Sequence, residues 1–432
     1  MKQIGIGLLG FGTVGAGVVD GLRRNREVLA NRLGFELVLR RIADVDLERD
    51  RGVPVDRAML THDARAVIAD PDVDIVVELI GGTGIARTLV TEALQAKKPV
   101  VTANKKLLAE YGEEIFGLAE KSGVDLYFGA SVGGGIPIIR VLREGLVGNQ
   151  VRRMLGILNG TCNYILTRME SEGAAFDVVL RAAQEAGYAE SDPSLDIDGF
   201  DTAHKAVILA SLAYGFPVPM SAVTVEGIRG LSGVDVQYAR ELGYRIKLLA
   251  VISREGDEIE VRIHPTLVPV DHMLASVHQV FNAVMVQCDL TGDTLYYGRG
   301  AGRDPTASTV IGDLADVARN LASRQPRHRR AAPQERRAPL RIRPLAEVSS
   351  RYYVRLQVLD KPGSLGLFTG ILGKHGVSIS AVTQRAVPQT GGHVPVVVLT
   401  HTARESQLDA ALAEIQAADV VSEKPKKLRM LG

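Results

Sequence analysis

The sequence predicts an α/β protein in which a doubly wound parallel sheet is followed by an inserted α+β domain and a C-terminal ferredoxin-like domain. Three observations lead to this prediction. An apolar strand, a glycine turn and a helix open the chain, and strands then alternate with helices up to residue 128. A split β-α-β pattern begins after an arginine-rich segment near residue 340.

The glycine turn directly follows the first apolar strand, residues 4–9. It consists of Gly10, Phe11, Gly12, Thr13, Val14 and Gly15. In a Rossmann-type fold, such glycines permit a tight bend, close approach to a pyrophosphate and close packing of helix on strand, with the phosphates at the helix N-terminus. The turn therefore predicts a dinucleotide site, and a glycine turn without a ligand is the alternative.

The second predicted strand, 35–43, ends at Asp44. A carboxylate at this position can bind the 2′-hydroxyl of the adenosine ribose, as in NAD. Arg40 and Arg41 are close in sequence and could instead favour the 2′-phosphate of NADP. The choice between NAD and NADP stays open at this stage.

Three further strands are predicted, at 74–80, 99–102 and 125–128. Doubly wound sheets bind their ligands at the carboxyl ends of the strands. Gly81 and Lys105 follow two of these ends, and both are candidates for cofactor contact. Lys105 is also placed to meet a substrate, although its spacing is equally compatible with a surface position.

The stretch 187–205 joins a polar loop to an apolar helix that begins near Asp201. Asp201 and Lys205 are four residues apart, so they lie on one face of this helix. On an exposed helix this pair would be an ordinary surface ion pair. A helix this apolar is largely buried, however, and burial shifts the pKa of a lysine toward the range in which it exchanges protons. The pair is therefore a candidate catalytic site.

The pattern divides the chain into five segments. They are a nucleotide-binding domain at 1–135, a substrate-binding and oligomerisation domain at 136–303, a helix at 304–323 that returns to the first domain, an arginine- and proline-rich linker at 324–348, and a separable small domain at 349–432. The arginine-rich segment lacks aromatic residues for base stacking, so a nucleic-acid contact is a weaker interpretation than a solvated linker.

Composition excludes several classes of protein. Hydrophobic residues make up 46% of the chain, and a formal net charge of +1 at pH 7 argues against a globally basic nucleic-acid binder. Cys162 and Cys288 are too few for a disulfide framework or a multi-cysteine metal site. Apolar runs are too short for a membrane span, and glycines interrupt the first one. We expect a cytoplasmic protein that binds neither nucleic acid nor membrane.

Several motifs together resemble those of the homoserine dehydrogenase family. They are the glycine turn at 10–15, Thr-Ala-Asn-Lys at 102–105, Gly-Gly-Gly-Ile-Pro at 133–137, Asn-Gly-Thr at 159–161, the stretch 187–205 and Gly-Arg-Gly-Ala-Gly at 298–302. The resemblance covers nearly the first 320 residues, and the stretch 187–205 is its most specific part. Within the small domain, 359–365 and 376–379 resemble an ACT domain, a module that binds regulatory amino acids in many amino-acid enzymes.

The resemblance implies an NAD- or NADP-dependent oxidoreductase that interconverts L-homoserine and L-aspartate 4-semialdehyde in threonine, methionine and isoleucine biosynthesis. It implies that Lys205 donates and accepts the proton, and that Asp201 and Glu190 hold the substrate. Lys105 would touch both substrate and cofactor. Gly187 and Gly302 would line the cofactor together with the glycine turn. A homodimer or homotetramer is also implied, with L-threonine as the effector of the ACT-like domain.

One departure from the family concerns a sodium site. The resemblance implies a cation held by the backbone carbonyls of Val132, Gly134 and Ile136 and by a glutamate side chain. Gly129 stands at the position of that glutamate. The side-chain ligand is therefore missing, and sodium would be held more weakly, by carbonyls and water. From the residues alone, the glycine run 133–135 could bind an anion, place carbonyls around a cation, or form a hinge that needs no ligand.

A sensor that binds a cofactor and an amino acid without catalysis is the second interpretation. The set of four residues proposed for substrate and proton transfer is complete in this sequence: Lys105, Glu190, Asp201 and Lys205. Its completeness argues for an enzyme.

Overall fold

The computed structural model describes residues 2–323, 340–384 and 392–432. The described chain divides into two units of dense internal contact. The first unit is drawn from Met1–Gly160, Asp201–Val223 and Phe281–Leu340, and the second from Thr161–Phe200, Thr224–Val280 and Arg341–Gly432. Within the described ranges, no helix is both long and apolar enough to cross a membrane.

The strands are, in chain order, β1 (Gln3–Leu9), β2 (Glu36–Ala43), β3 (Leu60–Thr61), β4 (Ile75–Glu78), β5 (Val100–Thr102), β6 (Leu126–Tyr127), β7 (Val151–Ile157), β8 (Thr224–Val225), β9 (Tyr244–Glu255), β10 (Glu258–Pro269), β11 (Phe281–Cys288), β12 (Asp293–Arg299), β13 (Arg341–Ile342), β14 (Ser349–Leu359), β15 (Ile379–Gln384), β16 (His393–Thr400), β17 (Ala403–Arg404) and β18 (Lys426–Met430).

The helices are, in chain order, α1 (Thr13–Arg24), α2 (Arg26–Leu33), α3 (Ala64–Ala69), α4 (Ile85–Gln95), α5 (Lys105–Ser122), α6 (Ile138–Arg140), α7 (Gly160–Glu172), α8 (Phe176–Glu185), α9 (Ser194–Ile197), α10 (Phe200–Tyr214), α11 (Gly233–Glu241), α12 (Arg303–Ala322), α13 (Ser364–Lys374) and α14 (Glu405–Gln416). A single π-helical turn, Val141–Gly145, follows α6.

The first unit contains a parallel sheet with the strand order β3-β2-β1-β4-β5-β6. This order confirms the doubly wound fold predicted from the alternation of strands and helices. The apolar runs form its central strands, and every residue of β4 is buried. Because the strand order reverses between β1 and β4, the carboxyl ends of these two strands border the crevice in which such sheets bind ligands.

The helix α12, which the sequence predicts to return to the nucleotide-binding domain, packs against α1 in the first unit. Small residues allow the close approach. A Cβ on Gly17 would lie 2.7 Å from the backbone oxygen of Arg303. Val310 and Leu314 of α12 are completely buried in the same core as β1 and α1. The sheet is therefore covered on this face by a helix that is distant in sequence.

The two glycine motifs at 133–135 and 298–302 pack against each other. The amide of Gly135 donates to the carbonyl of Arg299 at 3.0 Å. A Cβ on Gly134 would lie 2.6 Å from the carbonyl oxygen of Gly300, and Gly134 has a φ of +52°. Gly134 therefore needs to be glycine for this backbone-to-backbone contact, whatever the motif binds.

The second unit contains strands in the order β9-β10-β18-β14-β16-β15, with β8 and β13 also paired to β10. Its C-terminal part runs β14-α13-β15-β16-α14-β18, with the strand order β18-β14-β16-β15. This arrangement confirms the predicted ferredoxin-like fold.

The last strand, β18, corrects the prediction of a separable small domain. It pairs antiparallel with β14 and parallel with β10, where Arg429 lies opposite Thr266. The ferredoxin-like sheet is therefore continuous with β9 and β10. β18 was not predicted from the sequence, because its five residues, Lys-Lys-Leu-Arg-Met, carry three charges and only a weak apolar alternation.

The arginine-rich segment also differs from its prediction at its C-terminal end. Residues 324–339 lie outside the described residues. Arg341 and Ile342, predicted as linker, instead pair in parallel with β10. Arg343 then forms ion pairs with three glutamates of β9 and β10: Glu255, Glu258 and Glu260. These acids neutralise the arginines and draw this part of the segment onto the sheet.

Candidate active site

Helix α10 carries the two residues that the sequence placed on one face. The ammonium of Lys205 lies 2.7 Å from Oδ2 of Asp201. Asp201 is 3% exposed and Lys205 is 8% exposed. The pair is therefore buried, and the surface ion pair considered as the alternative is excluded by this burial.

Lys105 reaches the same carboxylate from the start of α5. Its ammonium lies 2.8 Å from Oδ1 of Asp201, and its side chain is 35% exposed. Because β5 ends at Thr102, Lys105 stands at the carboxyl end of a parallel strand, as predicted. One carboxylate therefore bridges two ammonium groups, one deeply buried and one open to solvent.

The two residues that directly follow β7, Leu158 and Asn159, supply two more contacts to this cluster. The ammonium of Lys205 donates to the carbonyl of Leu158 at 2.6 Å. The amide nitrogen of Asn159 donates to Oδ2 of Asp201 at 2.8 Å. The sequence analysis quoted Asn159 as part of a motif but assigned it no role. Its role here is to hold the carboxylate, and so both lysines, in place.

Electrostatics keep Asp201 ionised. Burial alone would raise the pKa of its carboxyl, but the charges and hydrogen bonds of Lys205 and Lys105 outweigh burial and hold the pKa well below its ordinary value. Asp201 is therefore a permanent anion at neutral pH. It orients the lysines and does not itself exchange protons.

His204 and Glu110 link α10 to α5 beside the cluster. The imidazole Nε2 lies 3.8 Å from Oε1 of Glu110, and His204 is 5% exposed. Burial lowers the pKa of His204, and the nearby carboxylates of Glu110 and Asp201 only partly oppose this. His204 was not singled out from the sequence, because one histidine on an apolar helix is usually a core residue.

The glycine turn has the geometry required by a dinucleotide. Gly10 has a φ of +97°, and a Cβ there would lie 2.7 Å from the backbone of Leu79. A Cβ on Gly15 would lie 2.3 Å from the carbonyl oxygen of Gly10. Gly12 has nothing within 4 Å of its Cβ position, and α1 begins after it without a side-chain cap. The residues present fit a pyrophosphate at this helix N-terminus.

Asp44 lies beside the turn at the end of β2. Its Oδ2 accepts the amide of Phe11 at 2.5 Å, and its Oδ1 lies 3.3 Å from the guanidinium of Arg51. That guanidinium is 4.9 Å from the centroid of the Phe11 ring. Arg51, which was not predicted from the sequence, is thus the arginine that lies beside both Asp44 and the glycine turn.

The two arginines considered for this role form other contacts. Arg40 donates to Gln3 and Arg41 pairs with Asp70.

Glu78 is a fully buried acid at the end of β4. Its Oε1 accepts the amides of Ile80 and Gly81, both at 2.9 Å, and its Oε2 accepts the hydroxyl of Thr102 at 2.6 Å. Glu78 therefore shapes the loop that contains Gly81 and steadies the strand that leads to Lys105. Sequence reasoning read it only as part of an apolar strand.

Comparison with known proteins agrees with these features along the entire chain. The family model described as homoserine dehydrogenase matches residues 137–315. The model of the homoserine dehydrogenase NAD-binding domain matches 10–129, and the ACT domain model matches 352–419. A homoserine dehydrogenase of Neisseria gonorrhoeae is 47% identical, covering 100% of this chain and 99% of its own.

The chain belongs to the homoserine dehydrogenase family.

Its members are NAD(P)-dependent oxidoreductases, and solved structures agree with the assignment. A homoserine dehydrogenase from Thiobacillus denitrificans has a TM-score of 0.93 at 46% identity, covering 100% of this chain and 99% of its own. One from S. aureus, with 100% coverage of both chains, has a TM-score of 0.78 at 31% identity. The Rossmann-type domain and the ACT domain predicted from sequence are both confirmed.

Two residues that the family resemblance assigned to ligands belong to the second unit. Gly187 and Glu190 are exposed and lie between α8 and α9. The side-chain amide of Gln184 donates to the backbone carbonyl of Glu190 at 3.0 Å. The backbone of the loop that carries Glu190 is thus tied to α8, and the role of Glu190 stays a prediction. Gly302, in the first unit, precedes α12 with a φ of +117°.

The family's sodium site has an incomplete set of ligands in this chain. The carboxylate of Asp313 accepts the amide of Gly129 at 2.7 Å, and its oxygens lie 2.8 and 2.9 Å from the Cβ position of Gly129. The carbonyls of Gly134 and Ile136 already accept hydrogen bonds, from Thr309 and Ile138. The glutamate ligand that the resemblance implies is replaced by Gly129, so we derive no catalytic step from a metal ion.

Proposed function

We propose that this chain oxidises L-homoserine to L-aspartate 4-semialdehyde and catalyses the reverse reduction, with Lys205 as the proton donor and acceptor. The buried cluster of Lys205, Asp201 and Lys105 is the observation that carries this proposal. The Asp201 carboxylate and the Leu158 carbonyl fix the ammonium of Lys205 in position, and a positioned ammonium can act as a general acid.

The chemistry follows from the charges. A bound nicotinamide would supply the hydride chemistry, as acceptor in oxidation of the alcohol carbon and as donor in reduction of the aldehyde carbon. During reduction, the ammonium of Lys205 stabilises the developing alkoxide and protonates it. Asp201 holds both lysines, and because the cluster has two cations and one anion, it retains a positive charge to offset the alkoxide.

We assign substrate recognition to Glu190 and Lys105. We assign the substrate ammonium to the carboxylate of Glu190 and a position beside both substrate and cofactor to Lys105. The exposure of Glu190, and the partial exposure of Lys105, support contact with a ligand that enters from solvent.

The cofactor is held by the glycine turn 10–15, with Asp44, Gly81, Gly187 and Gly302 as further contacts. Asp44 favours the 2′-hydroxyl of NAD, whereas Arg51 provides a cation for the 2′-phosphate of NADP. We propose that either cofactor is used. A hyperthermophilic archaeal relative, with a TM-score of 0.62 at 26% identity and coverage of 76% of this chain, was solved in complex with NADPH.

Regulation and assembly belong to the same proposal. We assign L-threonine, a product of this branch of biosynthesis, as effector of the ACT domain. The N-terminus of α13 follows Gly363 without a side-chain cap, so its amides can donate hydrogen bonds to a carboxylate. We also propose a cytoplasmic homodimer or homotetramer that makes threonine, methionine and isoleucine precursors.

One assay tests these points together. Purified protein should reduce NAD or NADP when L-homoserine is added, and L-threonine should lower the rate or change the melting temperature. Absence of homoserine oxidation with both cofactors would favour the sensor interpretation. If threonine changes neither the rate nor the melting temperature, the effector assignment is wrong while the catalytic one stands.

A further inference from the structure

Arg429 lies on the last strand, β18, and forms an ion pair with Glu226, whose segment contacts the stretch that carries Glu190. Arg429 on β18 is 2% exposed. Its guanidinium binds Glu226 by two parallel hydrogen bonds, from Nη1 to Oε2 at 2.9 Å and from Nη2 to Oε1 at 2.8 Å. A bidentate pair of this kind fixes both distance and orientation. Arg429 therefore holds Glu226 in one defined position.

The other edge of the guanidinium is anchored on α14. Nε of Arg429 donates to Oε2 of Glu405 at 2.9 Å, and Glu405 is completely buried. The hydroxyl of Tyr352 donates to the same carboxylate at 2.8 Å. Burial alone would raise the pKa of Glu405, but hydrogen bonds from Arg429 and Lys427 hold it below its ordinary value. Arg429 is thus fixed on one side before it reaches Glu226 on the other.

The segment 226–229 begins at Glu226 and packs directly against residues 197–199. The amide of Ile228 donates to the carbonyl of Ile197 at 2.7 Å. A Cβ on Gly227 would lie only 2.0 Å from that carbonyl oxygen. The two backbones therefore touch without an intervening side chain, and a shift of one moves the other.

Side chains strengthen the same contact. Arg229 donates to both carboxylate oxygens of Asp198, at 2.7 and 3.0 Å. The amide of Glu226 donates to the carbonyl of Ile263 on β10 at 2.8 Å, which ties the segment to the sheet. Gly199, with a φ of +91°, would place a Cβ 3.0 Å from Val225. The end of the loop is therefore braced over three consecutive residues.

We propose that Arg429 and Glu226 are positioning residues for the substrate: their ion pair fixes the segment 226–229, which in turn fixes residues 197–199, from the last residue of α9 to the end of the stretch 187–199. This rests on the role proposed above for Glu190 and its loop. In the sequence, residue 199 is followed at once by α10, the helix of Asp201 and Lys205. The C-terminal strand thereby contributes to homoserine binding although it contains none of the residues assigned to contact homoserine.

The variant Glu226→Gln tests the proposal with little risk to the fold, because the Glu226 side chain is 39% exposed and Arg429 keeps Glu405. We expect the KM for homoserine to rise by a factor of about 2 to 30. The KM for the cofactor should stay at the wild-type value. Amide hydrogen exchange should accelerate at 194–199 and stay unchanged in α13.

Two further variants sharpen the test. Glu414→Gln removes a carboxylate from an exposed ion pair with Lys374 in the same unit, and it should change neither readout. Arg429→Lys keeps a cation beside Glu405 but loses the two parallel hydrogen bonds to Glu226, so it should raise the homoserine KM as Glu226→Gln does. In the double variant the two effects should not add, because both remove one interaction.

The outcomes separate this proposal from the function on which it rests. Unchanged exchange at 194–199 in Glu226→Gln would overturn the bracing. A parallel rise in both KM values with faster exchange throughout would indicate a general loss of stability and would also overturn it. Faster exchange at 194–199 with a normal homoserine KM would overturn the positioning role. Failure of the wild type to oxidise homoserine would refute the proposed function, whatever the exchange result.

Discussion

At the scale of single residues, Asp201 decides what the two lysines can do. It is the common partner of both ammonium groups, and Asn159 holds it from a third side. A buried lysine is costly unless it is paired, so the carboxylate makes the burial of Lys205 possible. Of the two lysines, Lys105 is the one whose side chain stays partly exposed.

Replacement of Lys205 by alanine should lower kcat for homoserine oxidation by a factor of about 10² to 10⁴, the usual cost of losing a general acid–base group. The fold should persist, because Asp201 keeps its contacts with Lys105 and Asn159. Steady-state rates and a melting curve measure the two effects separately. Lys121→Ala, which removes an exposed lysine of α5, serves as the control and should leave both unchanged. Near-normal turnover in Lys205→Ala would exclude the proposed role.

At the scale of elements, the contact between α1 and α12 positions the cofactor turn. The helix α1 begins directly after Gly12, so any displacement of α1 moves the amides that are assigned to the phosphates. Gly17 permits this contact, because its Cβ position lies 2.7 Å from the backbone of Arg303 and 3.0 Å from Cβ of Ala307. Backbone atoms cannot turn away as a flexible side chain can.

Alanine substitutions in these two helices should have opposite effects on stability. Gly17→Ala should destabilise the protein by about 1 to 3 kcal/mol, because it overpacks the helix contact. Gly312→Ala, in α12, meets nothing within 4 Å and should stabilise by about 0.5 to 1 kcal/mol through helix propensity. Denaturant unfolding of the two variants measures the difference. Equal signs for both substitutions would contradict the packing argument.

At the scale of the whole molecule, buried charges make the stability depend on pH. Lys247 on β9 is 1% exposed and donates to the carbonyl of Val277 and to Oδ1 of Asn163. Burial lowers its pKa from 10.5 to about 8. Below pH 8 the lysine is charged in both folded and unfolded states, and the fold bears the full cost of burying the charge. As the pH rises toward 10.5, only the unfolded state keeps the proton, so this cost disappears.

The free energy of unfolding should therefore gain about 2 kcal/mol from Lys247 between pH 7.5 and pH 9.5. The variant Lys247→Met should lack this gain, so the difference between wild type and variant should change by that amount across the interval. Denaturant titrations at the two pH values measure it. Lys374→Met removes an exposed lysine of the same unit and should leave the pH dependence intact. A constant difference between wild type and Lys247→Met would show that the buried amine does not titrate in this range.

The sequence alone determined the local features of this protein. Strand–turn–helix order and the glycine spacing predicted the doubly wound sheet and the dinucleotide turn, and the i, i+4 spacing predicted that Asp201 and Lys205 share a face. These features depend on the fixed periods of strands and helices, so a few consecutive residues are enough to predict them. The motif resemblance added the family, which the comparisons confirm.

Only the tertiary structure decided how distant residues meet. Asn159 contacts Asp201 across 42 residues, Arg429 contacts Glu226 across 203, and β18 joins β10 rather than ending a separate domain. No period in the sequence encodes such contacts, because they depend on chain topology and on which partner each buried charge finds. The physical reason is the cost of burying an unpaired charge: each of these groups must find a partner, and only the folded chain brings that partner within reach.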